Sequence, residues 1–202
     1  MRMKRNFSQR GLGAVLFVLA LSAVSFAQSA QSSFSDIKIK NFGQMDARFY
    51  RGAQPKEDDY QSLAALGIKT VIDLRDDATS YEKSAVEALG MRYVNIPMSD
   101  KEYPREEQIE TFLKLANDPN TGAFYVHCAG GRHRTGVMGA VYRFTKYGWN
   151  YEQVYKEMKD YDFYSRWGHG DMKKYVQDYW QRVQTTPAPV SVPSLVVAPA
   201  LK

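Results

Sequence analysis

The chain has 202 residues, of which 44% are hydrophobic and 24% charged, with 27 basic residues against 22 acidic ones. Four of the basic residues fall in the first ten positions, so the rest of the chain is almost neutral and we expect no nucleic-acid partner. A single cysteine, Cys128, excludes an internal disulfide. Apart from this cysteine, the residues best suited to bind a transition metal are three histidines that are scattered along the chain. We therefore expect no metal site and no cofactor.

The amino-terminal residues have the pattern of a secretory leader. Positive charges precede an uncharged run from Gly11 to Phe26, which is shorter than the roughly 20 residues that span a membrane. Small residues then precede a cleavage position ahead of Gln28, which predicts a signal peptide over residues 1–27. We therefore expect a secreted or periplasmic protein without stable membrane insertion after leader removal. A retained membrane anchor is the alternative.

Composition divides the remaining chain into one folded domain with two polar ends. Residues 28–44 are poor in core-forming side chains, which predicts a flexible lead-in. Residues 184–202 hold four prolines without a regular pattern, which predicts a disordered tail. Residues 45–183 are left as a single domain of ordinary size.

Within the domain, short apolar runs alternate with amphipathic segments. The runs predict strands at Arg48–Arg51, Thr70–Leu74, Arg92–Ile96 and from Phe124 onwards. The other segments predict helices at Glu57–Leu66, Tyr81–Leu89, after Pro104, after Gly136, at Tyr151–Met158 and at Asp171–Val183. This alternation predicts an α/β fold, with a central, mainly parallel sheet of four to five strands and helices on both faces. Ligands of such sheets bind at the carboxyl ends of the strands.

The stretch from Phe124 to Gly136, FYVHCAGGRHRTG, contains the reactive groups. An apolar strand ends in His127 and Cys128, and two glycines then let the backbone turn successive N–H groups towards an anion. A helix follows, and its positive dipole end at this place lowers the pKa of a thiol, which becomes a nucleophilic thiolate. Arg134 can bind a tetrahedral oxyanion through two parallel hydrogen bonds. The pattern indicates attack of sulfur on the phosphorus of a phosphate monoester.

This stretch resembles the signature of the cysteine-dependent protein tyrosine phosphatase superfamily, His-Cys-x5-Arg-Ser/Thr-Gly. It matches that signature at His127, Cys128, Gly131, Arg134, Thr135 and Gly136. Upstream, YRGAQP at residues 50–55 and DLR at residues 73–75 are similar to the compact atypical dual-specificity phosphatases. The resemblance implies a protein tyrosine phosphatase-like fold and a metal-independent phosphatase that forms a cysteinyl-phosphate intermediate. Its partner would be a phosphorylated substrate, either a phosphoprotein or an inositol phosphate.

Candidate roles follow for the residues of the stretch. Cys128 is expected to be the nucleophile and Arg134 to bind the phosphate. The hydroxyl of Thr135 is expected to stabilise the departing thiolate. His127 is expected to point to the opposite side of the strand and to order the cysteine through hydrogen bonds with carbonyl groups of the loop. The remaining positions are expected to bind substrate: Ala129, Gly130, Gly131, Arg132, His133 and Gly136.

A phosphate ester also needs an acid that protonates its leaving oxygen. In the superfamily this acid is an Asp on a loop around thirty residues before the cysteine. The corresponding loop here, PMSDKEYP, offers Asp100, which lies 28 residues before Cys128. The loop lacks the Trp-Pro-Asp sequence of the family, and Glu102 is the alternative. Asp73 and Asp76 come too early in the chain by the family's spacing.

Three other functions agree with parts of the pattern. Rhodanese-like sulfurtransferases also have a cysteine-centred anion loop, although an ending in Arg134-Thr135-Gly136 argues against that class. A catalytically weak pseudophosphatase would only bind phosphorylated ligands, and a plain protein-tyrosine phosphatase would lack further specificity. Within the phosphatase class, the basic character of Arg132 and His133 in the loop predicts a preference for substrates that carry several phosphates. Lys101 and Arg105, which flank the acid loop, favour the same substrates.

Overall fold

The computed structural model describes residues 37–185. The predicted leader, the first part of the lead-in and the tail from residue 186 lie outside the described residues. The elements follow one another as β1 (Gly43–Gln44), β2 (Phe49–Ala53), α1 (Asp59–Ala65), β3 (Thr70–Arg75), α2 (Glu82–Ala88), β4 (Arg92–Met98), α3 (Glu106–Asn117), a 3₁₀ turn (Pro119–Thr121), β5 (Phe124–Cys128), α4 (His133–Tyr147), α5 (Tyr151–Asp160) and α6 (Gly170–Thr185).

The five strands form one sheet in the order β1-β2-β5-β3-β4. Strands β2, β5, β3 and β4 are parallel, and β1 pairs with β2 in the antiparallel direction. The register places Cys128 beside Ala53 of β2 and His127 beside Asp73 of β3. The predicted mainly parallel sheet of four to five strands is confirmed. Because β5 is central, the loop after it is bordered by the carboxyl ends of two other strands.

Side chains of β5 alternate between two apolar clusters, one on each face of the sheet. Phe124, Val126 and Cys128 belong to the larger cluster, to which α3, α4, α5 and α6 contribute. Tyr125 belongs to the smaller cluster, which includes side chains of α1 and α2. Helices therefore cover both faces, as predicted. Helix α4 is buried from its first residue through Phe144, so that its amino terminus is fixed directly behind the loop.

The boundaries of the domain differ from the predicted ones. Residues 37–44 are part of the fold, because Gly43–Gln44 pair with β2 and Ile39 is buried in the smaller cluster. The prediction of a flexible lead-in is therefore wrong for these eight residues, since a strand of two residues is too short to show an apolar period. At the other end, α6 continues to Thr185. No helix of residues 37–185 has the length and apolar character needed to cross a membrane.

Candidate active site

The loop between β5 and α4, residues 129–132, is held from outside by residues of the segment 41–54, which contains β2. We call it the anion loop. The backbone N–H of Gln54 donates to the carbonyl of Ala129 at 3.3 Å. The side-chain amide of Asn41 donates to the carbonyl of Gly130 at 2.8 Å. Both carbonyl groups thus point away from the centre of the loop, and the planar peptides leave their N–H groups to face inward.

The third carbonyl of the loop is held by a buried arginine. Arg51 is only 1% exposed, and its Nη2 donates to the carbonyl of Gly131 at 2.8 Å. Its guanidinium also lies over the ring of Tyr161, 3.9 Å from the centroid. Burial lowers the pKa of Arg51 to about 10, against the opposing effects of Tyr161 and Cys128, so the group stays cationic at neutral pH. Arg51 therefore fixes the loop and adds positive potential beneath the thiol.

The anion loop packs so closely on β2 that one position must be glycine. Gly131 has a φ of +66°, and a Cβ atom there would lie 2.3 Å from the carbonyl carbon of Gly52. Gly130 is different, because a Cβ atom there would meet only the flexible side chain of Arg132 at 3.6 Å. The loop geometry therefore depends on Gly131 rather than on glycine content in general.

Cys128 lies at the end of β5, where its side chain is 3% exposed. Burial by itself would raise the pKa of the thiol, but the hydroxyl and N–H of Thr135, the charge of Arg134 and the N–H of Arg132 together hold the pKa below its ordinary value. The Thr135 hydroxyl is fully buried and is not bound by another group among the described residues, and its effect on the pKa of Cys128 shows that it lies beside the sulfur. The site therefore stabilises a thiolate beside a donor that can later assist its departure.

Arg134 is buried and fixed on one side only. Its Nη1 donates to the Oδ1 of Asp76 and to the carbonyl of Met98, each at 3.0 Å. Its Nε and Nη2 atoms remain available for two parallel bonds with a phosphate. Asp76 thus has a role that the sequence did not predict, since it orients the arginine. Its position just after β3, at the carboxyl edge of the sheet, was the only signal for this role.

The expected contacts of His127 were wrong in part. As predicted, its side chain lies on the face opposite Cys128, but it meets carboxylates rather than carbonyl groups of the loop. Its Nε2 is 2.7 Å from Glu82 Oε1, and its Nδ1 is 3.8 Å from Asp73 Oδ1. Arg75 bridges the same two carboxylates at 2.8 Å each. The reason is the register, which pairs His127 with a strand residue that sequence spacing does not bring near it.

This buried group also includes three residues of the types that bind metals. Ligand atoms of Asp73, Glu82 and His127 lie within 4.8 Å of one another. Arg75 already pairs with both carboxylates. Although burial raises the pKa of Asp73, its hydrogen bonds and charge interactions with Arg75 and His127 lower it overall. The residues therefore form an ion-pair network that braces β3, β5 and α2 behind the anion loop.

A cavity of about 190 Å³ opens beside the sulfur. It is lined by Asp100, Cys128, Ala129, Gly130, Arg132, His133, Arg134, Tyr164 and His169. Most of the residues predicted to bind substrate are among these. The prediction is wrong for Gly136, whose N–H donates to the carbonyl of Arg132 at 3.0 Å and whose Cα faces Met158 and Phe163. Gly136 is therefore a packing position in the first turn of α4.

The two candidate acids face different spaces. Asp100 lines the cavity that contains Cys128. Glu102 lines a neighbouring cavity of about 290 Å³ together with Asp76 and Arg105. The two cavities share no lining residue.

His133 differs from the cation expected at its position. Burial, with the nearby charges of His169 and Arg132, lowers its pKa to about 4, although a hydrogen bond with the backbone of Tyr164 and the charge of Asp100 oppose the shift. The ring is therefore neutral at neutral pH. Of the two basic residues predicted in the anion loop, only Arg132 carries a charge there. Its Nε lies 3.8 Å from a carboxylate oxygen of Asp162.

Comparison with known proteins identifies the family. The family model described as DSP-PTPase phosphatase fused to NAD+ kinase matches residues 21–174. The probable tyrosine-protein phosphatase DG1060 of Dictyostelium discoideum is 29% identical over 125 residues, which cover 59% of this chain and 74% of that protein. The dual specificity protein phosphatase TpbA of Pseudomonas aeruginosa strain PAO1 is 26% identical over 170 residues, which cover 82% of this chain and 76% of that protein.

Among solved structures, the core catalytic domain of the PP-IP phosphatase SIW14 from S. cerevisiae, in complex with citrate, has the same fold. Its TM-score is 0.63 at 19% identity, over 70% of this chain and 86% of that one. The match to the family model leaves the sulfurtransferase alternative without support. The chain belongs to the DSP-PTPase family and is a cysteine-dependent phosphatase of the atypical dual-specificity type.

Proposed function

We propose that this phosphatase hydrolyses phosphate monoesters with Cys128 as nucleophile, Arg134 as phosphate ligand and Asp100 as general acid, and that it prefers inositol polyphosphates to phosphotyrosine peptides. The observation that carries the catalytic assignment is that these three side chains line a single cavity of about 190 Å³. The inward N–H groups of the anion loop and the positive end of α4 favour a bound dianion at the same place.

In the first proposed step, the Cys128 thiolate attacks phosphorus while the bond from phosphorus to the ester oxygen breaks. The leaving oxygen takes the proton of the Asp100 carboxyl group, so that a neutral alcohol departs. In the second step, water attacks the phosphorus of the cysteinyl phosphate and gives a proton to the Asp100 carboxylate. The thiolate then leaves with the hydroxyl of Thr135 as hydrogen-bond donor, and inorganic phosphate is released.

The choice of Asp100 over Glu102 is tested by leaving groups. An acid matters most when the leaving oxygen is strongly basic, and general acids contribute about 10²–10⁴-fold. Asp100→Asn should therefore lower kcat/KM, which reports on the first step, by about 10²-fold or more for an alkyl phosphate and far less for para-nitrophenyl phosphate. Steady-state kinetics with both substrates measure this difference.

Glu102→Gln is the matched control, since it removes a carboxylate from the same loop but from the neighbouring cavity. It should leave the ratio of the two rates within about threefold of the wild-type ratio. If Glu102→Gln slows the alkyl phosphate far more than para-nitrophenyl phosphate, while Asp100→Asn keeps the wild-type ratio of the two rates, then Glu102 is the acid and the assignment is wrong.

The substrate preference rests on Arg132. Its side chain lines the cavity beside Arg134, and its nearest carboxylate, on Asp162, is 3.8 Å away and 56% exposed. A weakly held guanidinium next to the phosphate subsite suits a second phosphate on the same small molecule. The relatives are compatible with either class of substrate. SIW14 is described as a PP-IP phosphatase, while a structure of TpbA was solved with pTyr.

The test compares kcat/KM for inositol hexakisphosphate and for a phosphotyrosine peptide. Arg132→Ala should reduce the preference for the inositol phosphate about tenfold, since a hydrogen bond to a charged group contributes about 1.5–3 kcal/mol when buried and less in an open cleft. Raising the salt concentration should also weaken the preference. Arg92→Ala is the matched control, since it removes an exposed arginine at the start of β4, the opposite end of the strands. A wild-type enzyme that prefers the phosphotyrosine peptide would contradict the proposed substrate preference and indicate a plain tyrosine phosphatase.

We also propose that the protein acts outside the cytoplasm. The support is the charged, apolar and small-residue pattern of residues 1–27. Amino-terminal sequencing of the protein from an extracytoplasmic fraction should give a start at Gln28 or within a few residues of it. Recovery of only full-length protein, confined to the cytosol, would contradict the proposal.

A further inference from the structure

The segment between α5 and α6 contributes a buried histidine to the catalytic cavity. His169 is 7% exposed, and its Nδ1 lies 2.6 Å from the backbone carbonyl oxygen of Asp100. A carbonyl oxygen can only accept a hydrogen bond, so Nδ1 must carry the proton. The neutral Nδ1–H tautomer and the imidazolium both have this donor, and the bond is therefore compatible with either charge state of the ring.

The same ring packs against the residue that directly follows the anion loop. His169 and His133 are stacked, with centroids 3.6 Å apart and planes inclined by 14°. His133 is the first residue of α4 and immediately precedes Arg134. Tyr164 meets both imidazoles edge-on, at 4.4 Å from His133 and 5.4 Å from His169. The position of His169 is thus fixed by the part of the chain that binds phosphate.

The acid loop, residues 99–102, has few other attachments. Within the described chain its remaining side-chain hydrogen bonds are internal, from the N–H groups of Lys101 and Glu102 to the hydroxyl of Ser99 at 3.3 Å. Gly168, adjacent to His169, lies close to the side chain of Lys101, which is 3.5 Å from the place of a Cβ atom. Gly168 and His169, which precede α6, therefore provide the main contacts described for the acid loop.

We propose that His169 is a positioning residue for the general acid. Its Nδ1–H holds the carbonyl of Asp100, and its stacking on His133 keeps that carbonyl at a fixed distance from the anion loop. The carboxyl group of Asp100 is thereby kept over the site where the leaving oxygen is formed. This inference rests on the proposed function, in which Asp100 is the acid.

Two substitutions separate the hydrogen bond from the ring. His169→Phe keeps an aromatic ring on His133 but has no donor for the Asp100 carbonyl. His169→Asn loses the ring, while its amide nitrogen lies near the place of Nδ1 and can donate to that carbonyl. The measurement is kcat/KM, which reports on the first step, for a series of aryl phosphates of increasing leaving-group basicity, together with the inhibition constant of inorganic phosphate and the pH dependence of kcat/KM.

His169→Phe should lower kcat/KM about 30-fold or more for phenyl phosphate and much less for para-nitrophenyl phosphate, and should change the inhibition constant of inorganic phosphate by less than about threefold. Its rate should depend more steeply on leaving-group basicity, and the alkaline limb of its pH profile should flatten. His169→Asn should recover most of the lost rate. In the Asp100→Asn background, His169→Phe should cause no further loss for phenyl phosphate, because the group that it positions is already absent.

Equal slowing of all substrates by His169→Phe, or an additive loss in the Asp100→Asn background, would overturn the inference and indicate a structural role. If His169→Phe does not fold, His169→Asn is the deciding variant. A dependence of its rate on leaving-group basicity equal to that of the wild type supports the hydrogen bond, and a steeper dependence refutes it. Failure of the proposed function has a different signature. If Asp100→Asn itself shows no leaving-group effect, the acid assignment is wrong, whatever the behaviour of the His169 variants.

Discussion

The catalytic site depends on outward hydrogen bonds from the carbonyl groups of the anion loop. Three successive carbonyls, at residues 129–131, are bound by Gln54, Asn41 and Arg51, all of which come from the segment leading into or out of β2. These bonds turn the peptide N–H groups towards the place of a phosphate before any ligand is present. Preorganised dipoles of this kind stabilise charge without a cost of rearrangement during the reaction. Together with Thr135 and Arg134, the inward N–H of Arg132 offsets the burial of Cys128 and stabilises the thiolate.

The sheet explains why these groups meet. With β5 between β2 and β3, the site receives supports from both sides: Arg51 of β2 and Gln54 just after it hold the anion loop, and Asp76, just beyond β3, holds Arg134. The contacts of His127 with the acids beside it brace the back of β5. Substitutions in β2 should therefore affect catalysis as well as folding, although no residue of β2 lines the cavity.

The signature stretch was the most predictable part of the molecule. Its strand, glycines, arginine and helix follow one another directly, so the local chain contains nearly all the information about them. The parallel sheet was predictable because short strand-like runs alternate with amphipathic helical segments along the chain.

The parts that could not be predicted depend on contacts between distant segments. Asn41 lies 89 residues before its partner, in a polar stretch without an apolar period. The carboxylate partners of His127 and the Asp100 contact of His169, 69 residues apart, are set by strand register and loop packing. Sequence also could not show that burial would neutralise His133, because the shift in its pKa arises from the packing of several elements around it.

The central claim is that the loop holds Cys128 as a thiolate, and the ionisation of that thiol tests it most directly. Because the chain has one cysteine, the rate of iodoacetamide alkylation followed by intact mass reports on this group alone. The rate should rise with pH to a plateau with a midpoint clearly below the value of about 8.5 for an unperturbed thiol. Below that midpoint the thiolate is lost by protonation, and Thr135→Val should move the midpoint upward because it removes a stabilising donor. Inorganic phosphate should slow alkylation if the label reacts within the anion loop. A wild-type midpoint at or above about 8.5 would contradict the account.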